Sequence, residues 1–282
     1  MQFKIALQCL DPQPTLPLSY QYELSAWIYR VIENADSEFA AYLHQRGHQT
    51  PERKSFKLFC FSQLDVPRRR IEGDRLHIGC GEVSLLVGFY MDRTAEEFVR
   101  GLFQEQKFTL GDRTSRASFS VNTVEMRPPN LPASGAPVHI RTRSPLVIAR
   151  KRESRPDEYL HPDDPDFGKL LFLNLLEKYR AATGHEPPRF WDASQFGFRV
   201  VGGEPRSQLI TLKSGKAAET RVRGYRFDFE LDAPRELVEL GLLAGFGRMN
   251  AEGFGFGEVI LRGGGGMGSE GLRRPLPGER KI

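Results

Sequence analysis

Residues 241–260, GLLAGFGRMNAEGFGFGEVI, hold six glycines between Gly241 and Gly257, interleaved with Phe246, Phe254 and Phe256. A backbone this bare belongs in a turn or a close approach, because glycine weakens the interior of a helix or strand. A dinucleotide-binding loop is the first candidate, but that fingerprint follows a strand and opens a helix. Here residues 233–240 read as a helix and 257–262 as a strand, and Asn250 stands where a third fingerprint glycine belongs. The segment therefore joins helix to strand. Gly245, Gly247, Gly253, Gly255 and Gly257 leave main-chain N–H groups open to an anionic backbone. Arg248 and Asn250 add donors, and the phenylalanines either anchor the loop or stack on bases. A tight bend packed by its own aromatics satisfies the same spacing.

Elsewhere the apolar pattern switches between strand and helix periods. Residues 3–9 alternate as a strand. Leu24, Trp27, Ile28 and Val31 fall at i, i+3, i+4 and i+7 and give a helix one apolar stripe. Asp36 or Ser37 caps a second helix that carries Phe39, Tyr42 and Leu43 and closes at Gly47. Strands are expected at 56–61 and 75–78, a helix at 95–104 and a short strand at 107–110. The order then begins again. A strand at 117–127 leads through a proline-rich loop to short strands within 139–148. The longest helix covers 166–183, strands follow at 196–201, 208–212 and 223–231, and the last helix and strand flank the glycine loop. Each half has the order β-α-β-β-α-β, so the expected fold is α+β, two tandem ferredoxin-like (RRM-like) domains. The expected division is 1–118 and 119–262, with residues 263–282 a flexible tail that lacks apolar periodicity.

No apolar run among the 282 residues reaches membrane-span length. The first seven residues are too short and too alternating for a signal peptide, and a cytoplasmic protein is expected. Cys9, Cys60 and Cys80 are odd in number and form no Cys-x-x-Cys, which supports neither a disulfide framework nor a zinc knuckle. The histidines form no His-Glu-x-x-His, and neither a Walker loop nor a Gly-x-Ser-x-Gly elbow is present. No metal or cofactor is expected. Net charge is only +4, yet thirty of the forty basic residues are arginine. Arginine grips phosphate with a planar fork and stacks on bases. Arg68–Arg70, Arg141 with Arg143, Arg150–Arg152, and Arg221 with Arg223 and Arg226 form clusters that make nucleic acid a candidate partner.

His44 is the leading candidate for chemistry. On the second helix Phe39 and Leu43 mark the buried side, and His44 points well away from it. It also sits in the last turn, where the helix dipole favours a cation. A partly exposed histidine there suits proton transfer. Tyr29 projects roughly opposite the first helix's core stripe, on the face that also holds Tyr22. Downstream, Lys54 and Lys57 lie three apart, so on a strand they face opposite sides and only one looks toward His44.

Taken together these pieces resemble one family. The Gly-Phe-Gly…Gly-Phe-Gly-Phe-Gly stretch resembles the C-terminal loop of the CRISPR repeat-processing endoribonucleases, the Cas-six family of the RAMP superfamily. Residues 17–29 (PLSYQYELSAWIY) are similar to that family's first helix, Leu43-His44-x-x-Gly47 to its histidine turn, and 56–62 (FKLFCFS) to the strand after it. Residues 144–148 (SPLVI) and 174–179 (NLLEKY) are similar to its central region. The resemblance implies tandem ferredoxin-like domains and metal-independent cleavage of CRISPR precursor RNA within repeats. The RNA's own 2′-OH attacks the adjacent phosphate and leaves 2′,3′-cyclic phosphate and 5′-hydroxyl ends. His44 is then the general acid or base, and Tyr29 positions or protonates. Many members add a lysine a few residues after the histidine; here the third role stays open among Lys54, Lys57 and His48. The glycine loop becomes an RNA-binding element: Gly245, Gly247, Arg248, Asn250, Gly253, Gly255 and Gly257, with Arg141, Arg143, Arg221 and Arg223 beside it. Repeat RNA is the implied partner, with subunits of a CRISPR effector complex and a second copy of the chain as further candidates. The alternative is a RAMP subunit that holds guide RNA without cutting it.

Overall fold

The computed structural model describes residues 1–132, 136–153 and 156–260. The first half begins with β1 (Gln2–Cys9), α1 (Gln21–Ala35) and α2 (Ser37–Gln45). It continues with β2 (Phe59–Phe61), β3 (Glu82–Phe89), α3 (Asp92–Gln104), β4 (Lys107–Gly111) and β5 (Arg116–Met126). Its five-stranded sheet has the order β2-β3-β1-β5-β4 and is antiparallel throughout. The second half comprises β6 (Val138–Thr142), α4 (Phe167–Thr183), β7 (Gly197–Leu212), β8 (Thr220–Asp232), α5 (Arg235–Ala244) and β9 (Gly257–Val259). Its antiparallel sheet has the order β7-β8-β6-β9. In each half the third strand of the β-α-β-β-α-β unit lies between the first and the second, and the last strand flanks the first. This is the tandem ferredoxin-like arrangement. No helix among the described residues is long and apolar enough to cross a membrane.

The expected stripe of α1 is the buried one: Leu24, Trp27, Ile28 and Val31 are all core residues. Trp27 stacks on Phe108 at 4.1 Å and meets Phe98 of α3 edge-on at 6.1 Å. Where α1 and α3 cross, a Cβ on Gly101 would lie 1.7 Å from the Val31 carbonyl oxygen, so the crossing has room only for glycine.

Several expectations differ from what is observed. The strand expected at 56–61 is broken at Leu58, which has φ +54°; Ser55–Phe56 pairs with His48–Gln49 in a separate ribbon. The 75–78 strand lies outside the main sheet, paired with Thr15–Pro17 and Arg69–Glu72. β3 was not expected at all. Leu85, Leu86, Val87, Gly88 and Phe89 are consecutive and all buried, so this run is continuously apolar and shows no alternation. Its second face is covered from the other half of the chain: a Cβ on Gly88 would meet the Leu243 carbonyl oxygen at 2.9 Å. The strands expected at 196–201 and 208–212 are one strand, β7, with a register shift between Val201 and Arg206. The expected division at 118 falls inside β5, which pairs with β1 from Cys9↔Phe119 to Phe3↔Met126. Ladder hydrogen bonds therefore hold the chain in the first sheet as far as Met126. The tail expected at 263–282 lies outside the described residues.

Gly101→Ala should lower the unfolding free energy in urea by roughly 1–3 kcal/mol, the usual range for overpacking. Alanine's better helix propensity should not offset a Cβ placed against a backbone oxygen.

Candidate RNA-processing site

One residue turns the chain from α1 into α2. The Asp36 backbone N–H donates to the Ile32 carbonyl and ends α1, while its carboxylate accepts from the Phe39 N–H at 2.9 Å and caps α2. Because the two helices share this joint, the last turn of α2 comes back beside α1. His44 is exposed there, and its ring meets the Tyr29 ring edge-on at 5.2 Å. Tyr29 also packs edge-on against Phe59 of β2 at 5.5 Å, and burial raises its pKa. Its phenol therefore remains a neutral hydroxyl able to donate.

The ribbon after α2 supplies a cation. Lys57 Nζ donates to the His44 carbonyl oxygen at 2.8 Å, and burial lowers its pKa. Lys54 turns the other way and pairs with Glu177 of α4. His48 is half-buried, its ring 6.1 Å from that of Tyr42, and its Nε2 has no hydrogen-bond partner. Of the three residues considered for the third role, Lys57 is the one in direct contact with the histidine turn.

Lys57 also lines a cleft of about 710 Å³ between the two halves. Lys151 adds positive charge to its walls, whereas Lys54, Arg150 and Arg248 in the same lining are ion-paired with carboxylates; Glu177 and Glu252 are the carboxylates of the lining. The glycine loop forms one wall, and its interior differs from the expectation of an open cradle. Phe246, Phe254 and Phe256 are fully buried, so they anchor the loop and present no face to a base. A Cβ on Gly255 would lie 1.9 Å from the Phe246 oxygen, and one on Gly247 would lie 2.4 Å from the Val147 oxygen. The bare backbone accommodates its own neighbours. Asn250, expected to offer donors outward, is buried, and its Nδ2 donates to the Phe246 and Phe254 oxygens at 3.1 and 3.0 Å. Lys178 of α4, which sequence reasoning missed, completes the arrangement. Its Nζ donates to the Gly245 oxygen, to the Gly247 oxygen at 2.9 Å and to Asn250 Oδ1 at 2.7 Å. Burial lowers its pKa to about 7. On its far side the loop reaches α1, where Ser25 Oγ donates to the Ala251 oxygen at 2.7 Å. Gly253 lies against the Gln21 side chain and the Phe61 ring, and Gly257 begins β9.

The arginines divide into two groups. Arg141 is held bidentately by Asp228, Arg248 pairs with Asp157 at 2.6 Å, and Arg221 and Arg223 are exposed on β8 near Glu219 and Ser207. Arg143, which pairs with Glu258 at 3.5 Å, enters a second cleft, of about 490 Å³, with Arg69 and Arg226. Arg226 is half-buried there; burial lowers its pKa first, and the charges of Arg143 and Arg69 lower it further. Its guanidinium reaches Gln63 Oε1 at 3.3 Å and the Thr142 oxygen at 3.5 Å. Asp65 is the one carboxylate among this cleft's lining residues. Of the four arginine clusters in the sequence, the fold brings one member from each of three together here.

The family model "CRISPR-associated protein Cas6, N-terminal" matches residues 15–125, and "CRISPR associated protein Cas6, C-terminal" matches residues 127–259. The chain is similar to the CRISPR-associated endoribonuclease Cas6 1 of Methanocaldococcus jannaschii, 24% identical over 259 residues, covering 90% of this chain and 91% of that protein. Among solved structures it is similar to a Cas6-related protein from Pyrococcus furiosus, with TM-score 0.76, 21% identity and coverage of 93% of this chain and 99% of that one. It is equally similar in fold to an RAMP protein described as binding different RNA substrates, with TM-score 0.76, 22% identity and coverage of 93% and 100%.

The environment of His48 carries a pH dependence. Burial, with the Lys57 charge second, holds its folded pKa below the ordinary value of about 6.5. The neutral ring is favoured in the fold, so its contribution to stability is complete above that value and is lost as pH falls through the folded pKa. His48→Phe should make the decline in urea midpoint below about pH 6.5 shallower than in the unaltered protein.

Proposed function

The chain belongs to the Cas6 family of CRISPR-associated proteins, whose N-terminal and C-terminal models together match residues 15–125 and 127–259, and we propose that it cuts CRISPR precursor RNA within the repeats. The observation that carries this reading is the meeting of Tyr29, His44 and Lys57 beside the cleft that the glycine loop walls. Relatives that match most of its length are named CRISPR-associated endoribonucleases.

The reaction is an internal displacement. The RNA's 2′-oxygen forms a bond to the adjacent phosphorus as the P–O5′ bond breaks, giving a 2′,3′-cyclic phosphate and a 5′-hydroxyl. A base takes the 2′ proton, an acid supplies one to O5′, and positive charge stabilises the phosphorane. His44 is exposed and can reach a bound phosphodiester, so it is assigned the proton transfer. Tyr29, kept neutral by burial, serves as a hydrogen-bond donor that orients the phosphate or the leaving oxygen. Lys57 offers three donors, of which one is fixed on the His44 carbonyl, and its charge faces the developing oxyanion. Lys54 is given no part in the chemistry because Glu177 neutralises it. The cleft holding Arg69, Arg143 and Arg226 provides a phosphate-binding stretch for the same strand. The exposed Arg221 and Arg223 add to the field around it.

The test is incubation with a repeat RNA in excess EDTA. Cleavage to a cyclic-phosphate product is expected, and a 2′-deoxy substitution at the scissile nucleotide should abolish it. His44→Ala should slow the reaction by roughly 10²–10⁴-fold, and Lys57→Ala should slow it far more than Lys54→Ala. Full activity in His44→Ala would overturn the assignment. Tight binding without any cyclic-phosphate product would point instead to a RAMP subunit that holds guide RNA. For binding, Arg226→Ala should reduce the salt slope of log K by about 0.7, the value for one phosphate contact on a single strand. A filter-binding series across salt concentrations measures this.

A further inference from the structure

Lys178 does not touch the candidate catalytic side chains, yet its position is costly. It is 1% exposed, on the inner face of α4, and no carboxylate pairs with it among the described residues. An unpaired buried cation carries a heavy desolvation penalty unless its donors are satisfied, and a well-packed apolar side chain is the more stable alternative at such a position. All three ammonium donors are satisfied, and all by the glycine loop: the Gly245 oxygen, the Gly247 oxygen and Asn250 Oδ1. The acceptors are two carbonyls that glycine turns aim inward and an amide that itself holds the Phe246 and Phe254 oxygens. A single charge thus gathers the loop between α5 and β9 about one point. The gathered loop meets α1 through the Ser25–Ala251 hydrogen bond, beside the helix face that carries Tyr29. It is also one wall of the cleft that Lys57 lines.

We propose that Lys178 is a positioning residue for the RNA-processing site: its ammonium sets the glycine loop as a rigid wall of the cleft that Lys57 lines. The part of this inference that concerns RNA rests on the repeat-cleaving reading above; the part that concerns the loop does not. An apolar side chain at 178 leaves two loop carbonyls and an amide oxygen without donors in a buried space. The loop then opens toward water to solvate them, while the two sheets, held by their own ladders, keep their structure.

The test compares the full-length protein with Lys178→Met, and with Lys178→Gln, which is neutral and shorter but keeps an amide donor. Amide hydrogen exchange is read at Phe246, Arg248 and Gly255 in the loop and at Ile5 and Leu7 in β1. The expected result for Lys178→Met is at least tenfold faster exchange in the loop with β1 unchanged, and an intermediate effect for Lys178→Gln. In multiple-turnover cleavage of repeat RNA, KM should rise about tenfold while kcat stays within threefold, because the loop holds substrate and transfers no proton. Unchanged loop exchange would overturn the proposal, as would equal acceleration in β1, which would make Lys178 a general core residue. A loosened loop with KM unaltered would also overturn it. If the unaltered protein neither binds nor cuts repeat RNA, the repeat-cleaving reading fails, and the exchange comparison still decides whether Lys178 sets the loop.

Discussion

Four carbonyl groups of the glycine loop converge on two side chains, Lys178 and Asn250, and the contact between the two halves of the chain is built around that convergence. Buried carbonyls must be paired, and here the pairing comes from outside the loop as well as within it. The three phenylalanines supply the apolar counterpart, each worth about 1.5–3 kcal/mol on full burial. Phe256 reaches the Cys60–Leu86 cluster of the first sheet, and Phe246 lies against Phe229 of the second. The loop is thus packed on both sheets at once. The cleft beside it takes its shape from this packing, and so does the surface on which Tyr29 sits.

The Asp36 joint plays the corresponding part on the other side of the cleft. By ending one helix and capping the next it leaves no free linker between Tyr29 and His44, so the separation of their rings follows from helix geometry. Lys57 then closes the turn from the ribbon. Three groups of different chemistry, a phenol, an imidazole and an ammonium, are held by short-range backbone features and need no long loop to bring them together.

Charge acts through its local arrangement more than its total. The net charge is only +4 over 282 residues because forty basic residues stand against thirty-six acidic ones, and many of the arginines are ion-paired in place. Arg150 alone faces Glu158, Asp164 and Asp166. Where Arg69, Arg143 and Arg226 line one cleft, burial and then the neighbouring like charges lower the pKa of the half-buried Arg226. A cleft of this kind concentrates field and attracts anions in a way that composition does not reveal.

Much of the architecture was legible in the residues. Periodicity identified α1, α2, α4 and the doubled β-α-β-β-α-β order, and helix geometry placed His44 off the buried face of α2. Spacing of three would put Lys54 and Lys57 on opposite sides of a strand, although only Ser55 and Phe56 between them form one, and the residues left open which lysine serves the site. Which one turns to His44 depends on the ribbon's pairing and on Glu177, 123 residues away from Lys54. β3 was invisible because both of its faces are covered, one of them by α5, and a strand buried on both sides loses its alternation. The strand order, the glycine loop's inward-facing amides and the meeting of three distant arginines were likewise decided only in three dimensions. Local sequence determines a segment's conformation and its apolar face, since those depend on neighbours a few residues apart. The partner of a buried cation such as Lys178 is set by packing between segments far apart in the chain, and no spacing in the sequence records it.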